Sequence, residues 1–171
     1  EVMGAVRKGR PAPDETETAF VGNARLKAHA GARGTGRPAL SDDRGSEIEA
    51  LGGAPGVYTA NWAETENGRD FHMAMQRAHD ELVANRAPRP WRARFCCTLV
   101  MAWPDGHDEV FAGTIEGQIV WPMRGAEGHG YDPVFQPDGH DLTFAEMDAE
   151  QKNRISHRAD AFAKLVKGCF D

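Results

Sequence analysis

The sequence predicts an α/β protein built on a mixed sheet, and three observations carry that prediction. Residues 67–84 space Phe71, Met75, Ala78 and Leu82 at intervals of four, three and four, the period of an amphipathic helix. Residues 92–103 are apolar on both alternating sets. Phe95, Cys97, Leu99, Met101 and Trp103 form one set, and Cys96, Val100 and Ala102 the other, with Thr98 among them. A strand apolar on both faces belongs in the middle of a sheet. Pro104-Asp105-Gly106 then turns the chain, and residues 109–120 return as the second strand of a hairpin. The chain has 171 residues, which suits a single domain spanning 1–171.

The remaining elements follow in order. Residues 1–14 read as irregular, with a solvated basic cluster at Arg7-Lys8-Gly9-Arg10. Phe20, Ala24 and Ala28, with Leu26 beside them, predict a helix over 18–30, which Gly31, Gly34, Gly36 and Pro38 should end. Pro38-Ala39-Leu40-Ser41 predicts a short strand that finishes in Asp42-Asp43, with Gly45 as its turn. Ile48 and Ala50 alternate with Glu47 and Glu49, which suggests a half-buried strand. Asn67 is the expected N-cap of the 67–84 helix, and Ala87-Pro88-Arg89-Pro90 should stop it. Glycines and prolines make 124–142 a loop, interrupted by Val134-Phe135. Thr143 and Glu146 carry a capping-box pattern. Ser156 should cap a last helix with Ala159, Phe162, Ala163 and Val166 facing inward.

Composition excludes several functions. Hydrophobic residues make up 40% and charged residues 27%, values of a globular chain. The net charge of −6 argues against a general nucleic-acid binder, which needs many phosphate contacts. No apolar run approaches the roughly 18 residues of a membrane span, so no membrane partner is expected. Three cysteines, two of them adjacent, match neither a disulfide framework nor a zinc site and point to a reducing cytoplasm. There is no Gly-x-Ser-x-Gly elbow, no Gly-x-x-x-x-Gly-Lys-Ser/Thr loop and no Gly-x-Gly-x-x-Gly turn after a strand.

Three segments could carry chemistry. Asp42-Asp43 could supply a Mg²⁺ ligand and a base, or simply a turn before Gly45. Neighbours on a strand point to opposite faces, so only one of the two can face a given site. Gly128-His129-Gly130-Tyr131-Asp132-Pro133 presents two rings between small residues. Asp132, extended because Pro133 follows, could accept hydrogen bonds from a base edge; the bland alternative is a glycine-rich surface loop. Lys152-Asn153-Arg154-Ile155-Ser156-His157-Arg158 gathers cations beside an expected helix start, suited to phosphates or ring carbonyls, or to nothing more than a solvated helix end.

These segments, in this order, resemble the inosine triphosphate pyrophosphatases, which act on non-standard purine nucleoside triphosphates. The likeness also rests on Glu15-Thr16, Phe20, Asn23-Ala24, Leu26-Lys27-Ala28, Pro38 to Gly45, Leu51 to Tyr58, Trp121-Pro122 and Thr143 to Met147, and it spans roughly residues 14–168. It implies an elongated mixed sheet flanked by helices, two lobes with a central cleft, and a homodimer. It implies Mg²⁺-dependent hydrolysis of dITP, ITP and XTP to the monophosphate and pyrophosphate, clearing the nucleotide pool. Asp43 falls on the position of the base that activates water and also lies at the metal. Glu15 falls on the second metal carboxylate, with Asp42 as its neighbour. His129, Gly130, Tyr131, Asp132, Lys152, His157 and Arg158 fall on positions that hold the purine.

The chain departs from that pattern in places. No Ser/Thr-x-Asn-x-x-Lys phosphate loop precedes Glu15, so on this likeness the domain lacks its N-terminal strand and loop. Arg44 stands where the family has serine; it could pair with Asp43 or bind phosphate in the loop's stead. His129 replaces a stacking phenylalanine, and imidazole stacks more weakly. Glu17 and Ala19 replace glycine and threonine, and Asn61 replaces an arginine. The alternative functional reading is a nucleotide-binding relative without turnover; a third is a pyrophosphatase for other modified nucleotides.

Overall fold

The computed structural model describes residues 19–171. The Arg7–Arg10 cluster, Glu15, Thr16 and Glu17 lie outside the described residues. Helix α1 (Phe20–Thr35) leads into strand β1 (Ala39–Ile48), and the short strand β2 (Pro55–Gly56) folds back on β1. A small hairpin, β3 (Glu64–Thr65) with β4 (Gly68–Arg69), precedes helix α2 (Phe71–Ala84). The long strands β5 (Trp91–Ala102) and β6 (Asp108–Ile119) come next, then β7 (Phe135–Pro137), α3 (Ala149–Ile155) and α4 (His157–Cys169). The main sheet runs β2-β1-β5-β6-β7. The α/β class is as read, and every pairing among the described residues is antiparallel. No described helix is long and apolar enough to cross a membrane.

Strand β5 is the central strand, as its two apolar faces require. Twelve residues give it a length of about 40 Å, and it joins two packing regions. Toward Ala102, α1 covers one face through Ala24, Ala28 and Ala32 against Val100 and Ala102. There α4 covers the other face through Ala161 and Leu165 against Cys97 and Leu99. Toward Trp91, a larger core forms from α2, the start of β5 and residues 131–147, with Met75, Ala78, Leu82, Phe95, Phe135 and Phe144 buried together. The cleft lies where these regions meet, beside Asp43 and Phe95.

Several local readings change. Helix α1 runs past Gly31 and Gly34 to Thr35 and ends on Gly36, whose φ of 66° is the left-handed conformation of a C-cap. Gly31 stays helical because its missing side chain leaves room for Ala39, 3.0 Å from where a Cβ would stand. Strand β1 does not end at Asp43. It continues through Gly45 to Ile48, and a 3-10 turn over Glu49–Leu51 replaces the expected half-buried strand. Gly45 is therefore no turn residue; a Cβ there would meet the Gly56 carbonyl oxygen at 2.4 Å and the Phe20 ring at 2.6 Å. Asp70, not Asn67, caps α2 by accepting from the Met73 amide at 3.1 Å, while residues 64–69 are spent on the hairpin.

The capping-box residues Thr143 and Glu146 are joined through the Thr143 amide at 3.0 Å. The Thr143 hydroxyl, however, donates to the Arg124 carbonyl at 2.8 Å, and a turn forms instead of a helix. Ser156 does cap α4, accepting from the Ala159 amide at 3.1 Å.

The inward face of α4 is not the expected one. His157, Ala161 and Leu165 are buried, whereas Phe162 is 54% exposed. Gly113 of β6 sets this rotation. A Cβ on Gly113 would meet the His157 carbonyl oxygen at 2.2 Å and the Ala161 nitrogen at 2.4 Å. The helix backbone rests directly on that glycine, so only small residues fit the seam. Gly113→Val should cost about 3 kcal/mol or more through overpacking, read as a lowered urea midpoint. An unchanged midpoint would mean that α4 shifts freely.

Candidate active site

The cleft encloses about 350 Å³. Among the described residues, β1 between Ala39 and Gly45 pairs only with β5, so the cleft crosses its outer edge and reaches both faces. Asp43 lies in mid-strand opposite Thr98 and is 8% exposed. The Lys27 ammonium, from α1, stands 3.3 Å from its Oδ1. Asp42 is opposite Leu99 on the face covered by α4, half-buried, with its Oδ2 2.7 Å from Arg44 Nε. The alternation expected of a strand thus separates the two carboxylates. It also corrects the expected pairing of Arg44 with Asp43, because residues two apart share a face and adjacent ones do not.

The other wall comes from the 129–132 loop and the α3–α4 junction. Asp132 is buried and accepts from the His129 amide at 2.8 Å and from the Lys152 ammonium. It opens a 3-10 turn with Pro133 and Val134 rather than lying extended, because its amide bonds back to the His129 carbonyl at 3.1 Å. Gly128 gives the carboxylate its space: a Cβ there would stand 2.1 Å from Asp132 Oδ2. Lys152 also lies 5.3 Å from the Phe144 ring centroid. Gly130 and Tyr131 line the cleft. Tyr131 itself is buried, donates to the Thr59 carbonyl at 3.0 Å and packs edge-on to Phe71, so it braces the loop. Burial raises its phenol.

His157 is 9% exposed and sits edge-on to Phe95, with ring centroids 5.4 Å apart. Its Nδ1 has no hydrogen-bond partner among the described residues. Burial first, then the Lys152, Arg44 and Arg158 cations, push its imidazole from 6.5 down to about 4, against the pull of Asp42. It is therefore neutral at pH 7, one nitrogen donating and the other accepting. Arg158 is exposed and outside the cleft lining. The unfolded imidazole takes its proton near 6.5, the folded one only near 4. The folded state thus keeps its full advantage above 6.5 and loses it as pH falls from 6.5 toward 4. Thermal melts between pH 7 and 4 should show a steeper decline for the native chain than for His157→Gln; parallel slopes would contradict this.

The structure brings Asp42, Asp43, Arg44, His129, Gly130, Tyr131, Asp132, Lys152 and His157 into one cleft. Sequence reasoning did not select Lys27, Ser46, Thr59, Arg69 and Phe71, which also line it. Lys27 had a usable signal: it lies next to Ala28 in the buried stripe of α1, hence toward β1. The Thr59 hydroxyl accepts from the Ser46 amide at 2.9 Å and donates to the Gly56 carbonyl at 2.6 Å, which fixes the loop against β1. Among the described residues no group of three or more His, Cys, Asp or Glu side chains could hold a metal by itself. Asp43 is the carboxylate placed to offer a hard oxygen ligand together with a substrate's own oxygens, since Asp42 is held by Arg44.

Comparison with known proteins places the chain in a family. The sequence profile of the Ham1 family matches residues 2–168. The chain is 67% identical to a dITP/XTP pyrophosphatase of Ruegeria pomeroyi, over 99% of its own length and 83% of that protein's. It is 54% identical to a dITP/XTP pyrophosphatase of Agrobacterium fabrum, over 93% of this chain and 79% of the relative. The fold superposes on a HAM1 protein from Coxiella burnetii with a TM-score of 0.88 at 34% identity, covering 95% of this chain and 82% of the other. The Ham1 protein of Staphylococcus aureus gives 0.82 at 36% identity, over 91% and 78%. A sequence match over residues 2–168, a shared fold and a cleft that brings Asp43, Asp132, Lys152 and His157 together give one conclusion: this chain belongs to the Ham1 family.

Proposed function

We propose that the chain hydrolyses dITP and XTP to the monophosphate and pyrophosphate. The observation that carries this reading is one cleft with a buried carboxylate, Asp43, on one wall and the donors Lys152 and His157 on the other, in a chain 67% identical to a dITP/XTP pyrophosphatase. Asp43 accepts the proton of the attacking water, and Lys27 fixes its orientation. Lys152 and neutral His157 supply N–H donors for the 6-oxo group of hypoxanthine or xanthine. The 6-amino group of adenine cannot accept these bonds, and leaving such donors unpaired costs binding. The exposed His129, which lines the cleft, packs its ring on the base. Glu15, Asp42 and Asp43 are the carboxylates that the likeness assigns to Mg²⁺. One or two carboxylates with phosphate oxygens are an ordinary Mg²⁺ environment, which Asp43 fits. Bound there, Mg²⁺ would neutralise phosphate charge.

The test is pyrophosphate release from dITP, XTP, dGTP and dATP, with and without Mg²⁺. Release from dITP and XTP that needs Mg²⁺, far slower with dATP, is the expected result. No release, or equal release from dATP, would overturn it. We further propose a homodimer, which sedimentation would check against the monomer mass.

A further inference from the structure

We propose that Arg69 is a further binding residue of this cleft, a cation that engages the phosphate chain of the nucleotide. The inference rests on the hydrolase reading above. Four Lys and Arg side chains line the cleft: Lys27, Arg44, Arg69 and Lys152. Three stand against carboxylates, Lys27 at Asp43, Arg44 at Asp42 and Lys152 at Asp132. Arg69 has no ion pair among the described residues, although Glu64, Glu66 and Asp70 lie close along the chain. Glu64 is its direct partner across the β3–β4 register, yet Glu64 Oε1 accepts from Asn61 Nδ2 at 3.3 Å. Asp70, the next residue, turns its carboxylate to the Met73 amide at the start of α2. Glu64 and Asp70 thus accept from uncharged donors, Glu66 forms no ion pair with Arg69 among the described residues, and the guanidinium is left for another anion.

Its base is firmly held. The Asp70 amide donates to the Ala63 carbonyl at 2.7 Å, and Phe71 packs edge-on to Tyr131. The hairpin therefore presents an unneutralised cation from the lobe of α2, while Lys27 and Asp43 come from the α1 side. A planar guanidinium fork matches phosphate oxygens, whereas a purine offers only neutral acceptors. The chemical class that suits Arg69 is therefore the polyphosphate, not the base.

The experiment compares the native chain with Arg69→Gln and Arg69→Lys. Calorimetry would measure binding of inorganic tripolyphosphate and of deoxyinosine, and steady-state kinetics would use dITP. For Arg69→Gln, tripolyphosphate affinity should fall about tenfold, the scale of one charge-assisted hydrogen bond. KM for dITP should rise by a similar factor, with kcat within about twofold of native and deoxyinosine binding unchanged. Arg69→Lys should recover part of the loss. Unchanged tripolyphosphate affinity, or an equal loss for deoxyinosine, would overturn the proposal. A native chain that binds tripolyphosphate through Arg69 but releases no pyrophosphate from dITP would sink the hydrolase reading and leave this one standing.

Discussion

Asp43→Asn should lower dITP turnover about a thousandfold while leaving the fold intact, the loss expected when a positioned general base is removed. The exchange is isosteric, and the amide can still accept from Lys27 Nζ, now 3.3 Å from Asp43 Oδ1. The strand pairing with Thr98 is made by the backbone and does not change. What disappears is the group able to take a proton from water inside the cleft. Asp42→Asn serves as the internal comparison. It removes an equal charge from the adjacent residue, but on the opposite face of β1, where Arg44 holds it. Its effect on turnover should stay below tenfold. The measurement is initial-rate pyrophosphate release at saturating dITP, with circular dichroism melts to show equal folding. Turnover of Asp43→Asn within tenfold of native would remove Asp43 from the role of base.

Lys152→Met should cost both stability and activity. Asp132 is 3% exposed at the end of the 129–132 loop, with the Lys152 ammonium as its charged partner. Without that partner a buried carboxylate keeps, among the described residues, only the His129 amide. Breaking a buried pair from one side costs about 3 kcal/mol or more, and for a chain of this size that is roughly a 10 °C fall in Tm. The double variant Lys152→Met with Asp132→Asn separates the two effects. The neutral amide still accepts from His129, so most of the stability should return. Activity should not return, because the donor for the purine is still missing. A Tm of Lys152→Met equal to the native value would show that water compensates the carboxylate.

Much of the architecture was legible because it is written locally. The three- and four-residue spacing of Phe71, Met75, Ala78 and Leu82 and the two apolar sets of residues 92–103 each specify an element without reference to the rest of the chain. The misread elements share a different cause. Gly45 and Gly31 carry the composition of turns, but here they make room for Gly56, Phe20 and Ala39, residues remote or separate in sequence. The inward face of α4 was misassigned because Gly113, more than forty positions away, decides which side can approach the sheet. In the site, Asp43, Asp132, Lys152 and His157 belong to recognisable motifs. Lys27 could have been found from its place beside Ala28 in the buried stripe of α1, whereas Arg69 belongs to no motif, and a single cation on a hairpin gives no signal by itself.

The sequence by itself determined the α/β class, the central β5–β6 hairpin, the amphipathic α2, and the order of motifs that marks the family. Periodicity and short-range spacing are properties of the chain alone. The tertiary structure decided that Asp42 and Asp43 part across β1, that Arg44 turns to Asp42, that His157 is buried neutral, and that Arg69 lines the cleft with no ion pair among the described residues. Each of these depends on which groups remote in sequence meet and how much water they exclude. Charge pairing and desolvation act through space and are fixed only once the chain has folded.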